Sequence, residues 1–293
     1  MNTFLFADES HAEAMRALIR CLPGPSSIAD FEENIQMESI RSNTRLWEQD
    51  GQLAAFAYVD DYNNLCYEID PQIPPETLEA EIVAWGVACI QRRNAETGEE
   101  GTLDFSCSAS DTQRMALTRN YGFEELEVRS LHYSRSLEDP LPDFPLAAGF
   151  TIRPAAGEPE VEALVALHCA ATGSDAMTVE ERLAIMRSPE YIPELDLLAV
   201  APNGDLAAYC VCGFEDGSDG TVGYTDPIGT HPQYQKLGLA KALVAAAFKG
   251  LKARGAVEVR VGTSSENMRM QRLAESLGFK LVSERLWFAK PVS

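Results

Sequence analysis

The chain has 293 residues, with 24 basic and 45 acidic side chains, a formal net charge of −21 at pH 7 and 45% hydrophobic residues. This length and apolar content suffice for one large domain or two ordinary ones. The acidic balance argues against nucleic acid or an anionic membrane as the main partner and admits a cationic substrate, and no apolar run approaches the ~20 residues of a membrane span.

The opening "MNTFLFADES" has no basic segment and too short an apolar core for a secretion signal. Residues 47–59, "WEQDGQLAAFAYV", read as a hairpin turning at Asp50-Gly51. Residues 67–90, "YEIDPQIPPETLEAEIVAWGVACI", pass from strand to helix through a loop without glycine. Residues 118–134, "TRNYGFEELEVRSLHYS", carry the pair Gly122-Phe123 ahead of a strand. The next stretch, 134–154, holds four prolines and reads as a linker.

Beyond it the pattern repeats. "AVAPNGDLAAYCV" (199–211) matches the first hairpin, with Asn203-Gly204 at the turn, and "AESLGFKLVSERLWFAK" (274–290) matches the Gly-Phe segment. Leu53 and Leu206 are 153 residues apart, and Gly122 and Gly278 are 156 apart. A nearly constant offset predicts tandem duplication of a domain of about 140 residues. The expected division is a first domain over 1–139, a linker over 140–149 and a second domain over 150–293.

The second copy is the clearer one. "GFTIRPA" is a strand, and 160–171 is a helix with Val161, Leu164, Val165 and His168 on one face. A short helix follows over 179–186, then the hairpin, on whose second strand Cys210 and Cys212 share a face. "TVGYTDPIGT" (221–230) is extended. A helix over 237–254 buries Leu239, Leu243, Phe248 and Leu251 and stops at Gly255. "VEVRVGT" (257–263) is a strand, 267–277 a helix ended by Gly278, and "LVSERLWFAK" (281–290) a last strand. The fold class is α/β (α+β): a mixed, mostly antiparallel sheet flanked by helices, written twice.

Seven cysteines, Cys21, Cys66, Cys89, Cys107, Cys169, Cys210 and Cys212, make an odd set without CxxC pairs, which reads as free thiols in a reducing cytoplasm. His11, His132, His168 and His231 show no ligand spacing, so no metal site is expected.

The segment "GTHPQYQKLGLAKAL" (229–243) carries the chemistry. It leaves a strand through His231-Pro232 and enters a helix at Gln235-Lys236-Leu237-Gly238-Leu239-Ala240. Free N–H groups at a helix start attract anions, Gly238 lets a diphosphate approach the backbone, and Gln235 and Lys236 add donors. A P-loop is excluded, because no Gly-Lys-Ser/Thr is present and Lys236 precedes Gly238.

Gln-x-x-Gly-x-Ala after a strand, with an Asn-headed helix ending in Gly-Phe further on, resembles the GNAT superfamily of acyl-CoA-dependent N-acetyltransferases. Gln235, Gly238 and Ala240 match all three defined positions of the family's Arg/Gln-x-x-Gly-x-Gly/Ala loop, and the order of elements from Gly149 to Pro291 fits as well. The two-domain layout is similar to that of mycothiol synthases. The resemblance implies two tandem GNAT folds and acetyl-CoA as co-substrate. It implies that Ile228, Gly229, Thr230, Gln235, Lys236, Leu237, Gly238, Leu239, Ala240 and Lys241 hold the cofactor. Asn267 would contact the pantetheine arm, a role compatible with capping its helix. The reaction implied is acetyl transfer to the primary amine of a small molecule in the cytoplasm, by a monomer or homodimer. The alternative is a non-catalytic acyl-CoA-binding or sensor protein.

Within that resemblance, strand alternation places Val222, Tyr224, Asp226 and Ile228 on one face, making Asp226 the candidate base with Tyr224 beside it. Pro227 cannot donate to a ladder, which suits a bulge where strands part, with a backbone N–H near Ile228 or Gly229 facing the thioester oxygen. The tyrosine that many family members place four residues before the Gly-Phe glycine is Ala274 here, so either the thiolate leaves without an acid or Ser265, Tyr224 or a residue from the other half serves as its proton donor. In the first copy Glu79 and Glu81 stand where Lys236 and Gly238 stand in the second. Residues 1–139 hold 10 basic and 26 acidic residues and no lysine. The first domain is therefore expected to be a degenerate copy without the cofactor loop.

Overall fold

The computed structural model describes residues 1–22, 28–175, 177–215 and 221–292. The chain begins with β1 (Asn2–Leu5), α1 (Glu9–Cys21), α2 (Ile28–Asn34) and α3 (Glu38–Ser42). It continues with β2 (Thr44–Gln49), β3 (Gln52–Val59), β4 (Leu65–Ile69), α4 (Glu79–Thr97), β5 (Thr102–Ser108), α5 (Thr112–Asn120) and β6 (Glu124–Ser136). The second half holds β7 (Thr151–Pro154), α6 (Val161–Thr172), α7 (Val179–Arg187), β8 (Asp196–Val200), β9 (Leu206–Phe214) and β10 (Val222–Thr230). It ends with α8 (Leu239–Ala253), β11 (Glu258–Ser264), α9 (Met268–Ser276) and β12 (Lys280–Pro291). The expected helices over 160–171, 179–186, 237–254 and 267–277 thus form within a residue or two of their expected ends.

Two compact units result, and their limits differ from the halves expected from sequence. One contains Met1–Ser130 and Glu284–Ser293, the other Leu131–Ser283. The first unit recruits the chain's end because Arg285–Pro291 of β12 pairs antiparallel with β5. Lys290 Nζ reaches the Tyr121 carbonyl at 2.7 Å, and the Phe288 side chain is buried with Leu103 and Phe105. The stretch expected as a linker over 140–149 is packed onto the second unit. Leu141, Phe144, Leu146 and Ala147 lie against its core, and Arg135 donates to the Pro140 carbonyl at 2.7 Å. Proline removes backbone donors there, but the interleaved apolar side chains still favour burial.

In the first unit β1, β2, β3 and β4 form an antiparallel sheet in that order. In the second, β7, β8, β9 and β10 pair antiparallel and β11 joins β10 in parallel, so the sheet is mixed. α8 lies on one face of this sheet. Its Leu239, Leu243, Val244, Ala247, Phe248 and Leu251 recur at helical spacing and are all at most 2% exposed. Full burial of each large side chain stabilises by about 1.5–3 kcal/mol. α6 covers the opposite face, where Leu164 and Leu167 meet Tyr209 and Val211.

α7 spans only nine residues and depends on its start. Thr178 Oγ1 accepts from Glu181 N at 3.1 Å while Glu181 Oε2 accepts from Thr178 N at 2.6 Å, a reciprocal capping box. Thr178→Ala is expected to cost about 1 kcal/mol, read as a lower urea midpoint at unchanged slope.

Candidate functional site

β10 and β11 pair only from Val222 to Tyr224 against Glu258 to Arg260. Both strands run on, to Thr230 and Ser264, so they part beyond that point. At the parting the β9–β10 register slips between Thr225 and Ile228, and the Asp226–Pro227 peptide is cis. The bulge expected from Pro227 is therefore present.

The slip corrects the expected shared face. Residues paired across an antiparallel ladder lie on the same side. Thr225 pairs with Cys212 and Ile228 with Cys210, both cysteines belonging to the core under α8. Tyr224 pairs with Gly213 and Gly229 with Tyr209, on the side covered by α6. Ile228 thus faces away from Tyr224, because one additional residue in the bulge reverses the alternation. Asp226 itself is exposed, with Oδ2 3.4 Å from where a Cβ on Gly262 of β11 would stand. Its carboxylate therefore lies across the parting.

The loop after β10 is held by short contacts. Gln235 Nε2 donates to the Thr230 carbonyl at 3.4 Å, so the side chain ties the loop to the strand end. Lys236 and Gly238 are left-handed, with φ of 66° and 76°. Lys236, Leu237 and Gly238 are exposed, whereas Leu239 turns its side chain into the core. Among the described residues no side chain caps the start of α8 at Gly238. Among the same residues nothing lies within 4 Å of where a Cβ on Gly238 would point. The N–H groups of Leu239, Ala240 and Lys241 precede the first intrahelical bond, from Ala242 N to the Gly238 carbonyl at 3.1 Å. The helix start adds about half a positive charge. These residues fit a diphosphate: uncapped donors, a glycine under open space and Lys236 beside them. Lys241 instead carries its ammonium 5.3 Å from the centre of the Phe144 ring.

Further along, Asn267 Oδ1 accepts from Met270 N at 3.1 Å and caps α9. Ser265, just after β11, is half-buried, and its carbonyl accepts from Gln271 Nε2 at 2.9 Å. Ala274 is 1% exposed inside the core and brings no hydroxyl to the parting.

A second group of residues was not anticipated. On the α6 side, Leu164, His168, Met177, Arg182, Tyr209 and Pro227 line a small pocket that touches the bulge. Tyr209 Oη lies 2.8 Å from His168 Nδ1, with the two rings stacked at 5.4 Å. Burial, then the Arg182 charge, holds the His168 imidazole below its ordinary range. Burial, then the Asp226 carboxylate, pushes the Tyr209 phenol well above its own. The signal was present in "LAAYCVCGF": if Cys210 and Cys212 share the core face, Tyr209 and Val211 take the other.

The equivalent place in the first unit is built differently. The start of α4 carries Glu79, buried with Oε1 lacking a hydrogen-bond partner among the described residues. Glu81 Oε2 accepts from Trp47 Nε1 at 3.0 Å. Between β4 and β5, Tyr67 stacks on Phe105 at 5.9 Å and Arg114 covers the Tyr67 ring at 5.2 Å. Side chains fill this gap and carboxylates stand at the helix start, so these residues do not fit a diphosphate.

Residues 165–279 match the model of the acetyltransferase (GNAT) family. Over 166 residues the chain is 30% identical to the mycothiol acetyltransferase of Thermobispora bispora, covering 54% of this chain and 56% of that protein. The match thus spans little more than half of the curated relative. Among solved structures, a GCN5-related N-acetyltransferase from Sphaerobacter thermophilus superposes with a TM-score of 0.70 at 21% identity, covering 99% of this chain and 95% of the other. A tandem GNAT protein from the clavulanic acid biosynthesis pathway gives 0.72 at 13% identity, covering 99% and 98%. At such identities these two establish the tandem fold.

Proposed function

Residues 165–279 belong to the GNAT acetyltransferase family, and from that premise we propose that the chain transfers an acetyl group from acetyl-CoA to a primary amine of a small molecule. The observation that carries this reading is the pairing of an uncapped helix start at Gly238 with a parted strand pair at Asp226 in one unit. Acetyl-CoA, as co-substrate, supplies an activated thioester. Leu239, Ala240 and Lys241 would hold its phosphates through backbone N–H groups, with Lys236 adding charge. Asn267 is assigned to the pantetheine arm while it caps α9.

Asp226 draws in the cationic amine and removes a proton from its nitrogen. A lysine-like amine of pKa about 10 needs roughly 4 kcal/mol to reach its free base at neutral pH, so the site must also supply a base for the ammonium proton. The first unit, with its filled gap and acidic helix start, is assigned no cofactor, leaving one working site per chain. The likeness to a mycothiol acetyltransferase supports a small-molecule acceptor. The seven free cysteines support a cytoplasmic setting, and no helix among the described residues is long and apolar enough to cross a membrane.

The buried Ala274 favours a second reading, an acyl-CoA sensor without turnover, because it provides no proton for a leaving thiolate. Coenzyme A release over a panel of primary amines separates the two. Under the enzymatic reading at least one amine releases coenzyme A, and Asp226→Asn lowers kcat by about 10²–10³-fold with the acetyl-CoA KM unchanged. Tight acetyl-CoA binding with no release for any amine would leave the sensor.

A further inference from the structure

Converting R–NH3+ to R–NH–CO–CH3 removes two protons from nitrogen: one balances the departing thiolate as CoA–SH, the other leaves to solvent. Asp226 is a single carboxylate and holds one proton at a time. The pocket that reaches Pro227 from the α6 side contains a second proton route, the Tyr209–His168 pair. The geometry points to Tyr209 as a catalytic residue that takes the first proton from the acceptor's ammonium, with His168 as the base behind it. This inference rests on the acetyl-transfer reading above.

The step balances without any further reactant. An ammonium proton passes to Tyr209 Oη as the Tyr209 proton passes to His168 Nδ1. Tyr209 ends neutral, His168 ends as imidazolium, and the acceptor ends as free amine. The imidazolium returns its proton to solvent between turnovers. Asp226 then takes the second proton as the nitrogen attacks, and that proton matches the one gained by the thiolate.

Three observations support the assignment. The pair is built rather than incidental: Tyr209 is 5% exposed, and the ring lies against Gly229, where any Cβ would collide with it. The pocket wall is shared with Pro227, the residue joined to Asp226, and the Asp226 charge acts on the Tyr209 phenol, so carboxylate and phenol belong to one bulge. The charge environment also fixes the resting protonation state of each partner. Arg182 and Glu181 of α7 act on His168 in opposite senses, and burial with Arg182 prevails, leaving the imidazole neutral and able to accept. On Tyr209, burial, Asp226, Cys210 and Cys169 oppose ionisation while Arg182 favours it, so the phenol keeps its proton until transfer.

The test measures kcat and KM from pH 5 to 9 with ethanolamine, glucosamine and 1,3-diaminopropane as acceptors. Tyr209→Phe keeps the ring over Gly229 and removes only the hydroxyl, and His168→Asn removes the base. Each is expected to lower kcat about 10²-fold with the amine KM within about twofold, and the double variant is expected to match either single one. The acid limb of the kcat/KM profile, set by His168 below its ordinary range, is expected to vanish in His168→Asn. If the native protein turns over and Tyr209→Phe leaves kcat intact or raises only KM, the relay is wrong while acetyl transfer stands. If the native protein acetylates none of these amines, the acetyl-transfer reading for such acceptors fails and the relay fails with it.

Discussion

Gly238→Gln is expected to weaken acetyl-CoA binding by about 100-fold while costing only about 1–2 kcal/mol of folding stability. The two effects separate because their physical origins do. Gly238 has φ 76°, a left-handed backbone that strains any residue with a Cβ. Among the described residues nothing lies within 4 Å of the added Cβ, so none of them adds a clash to that strain in the free protein. With a diphosphate at the helix start, the same space is where the ligand must come. Loss of two charge-assisted hydrogen bonds at about 1.5 kcal/mol each gives roughly 100-fold. Gly238→Ala carries the same backbone strain with far less bulk and should lose much less affinity. Calorimetric titration with acetyl-CoA, beside urea melts of all three proteins, resolves the two terms. A glutamine variant that binds as tightly as the native chain would remove this loop from the cofactor assignment.

The legible part of the molecule was what short-range rules control. Helix ends follow from Gly255 and Gly278, the hairpins from Asp50-Gly51 and Asn203-Gly204, and the bulge from Pro227, because each depends on one residue's backbone freedom or missing donor. Strand partnership was not legible. The segment 281–290 reads as a strand in any setting, but only the tertiary structure gives Arg285–Pro291 to β5 of the first unit. The phase of β10 beyond the bulge was lost for a related reason. Alternation carries forward only while the ladder stays in register, and one additional residue at Asp226–Pro227 turns Ile228 to the α8 side. His168 was visible only as one position on an apolar helix face. Its meaning comes from Tyr209, 41 residues away in the chain, and no local pattern connects the two.

Asp196→Ala is expected to destabilise the protein by about 3–5 kcal/mol, because it strands a buried cation. Asp196 is fully buried at the start of β8, and Arg182 of α7 is 5% exposed. The guanidinium donates to Asp196 Oδ2, and Tyr191 Oη donates to the same oxygen at 2.6 Å. Removing the carboxylate leaves Arg182 charged in the interior and takes the acceptor from the half-buried Tyr191 hydroxyl. Replacing both partners by apolar residues of similar size, Arg182→Met with Asp196→Leu, avoids the stranded charge and is expected to recover most of the loss. Urea denaturation of the native, single and double variants checks this cycle. The double variant also tests the site, because Arg182 lines the Tyr209–His168 pocket. The Arg182 charge disfavours the imidazolium, so removing it lets the His168 pKa rise toward its ordinary value. A group whose basic form is needed then titrates at higher pH, and the acid limb of kcat/KM is expected to move upward with it. A stable double variant with an unmoved acid limb would assign that limb to a group other than His168.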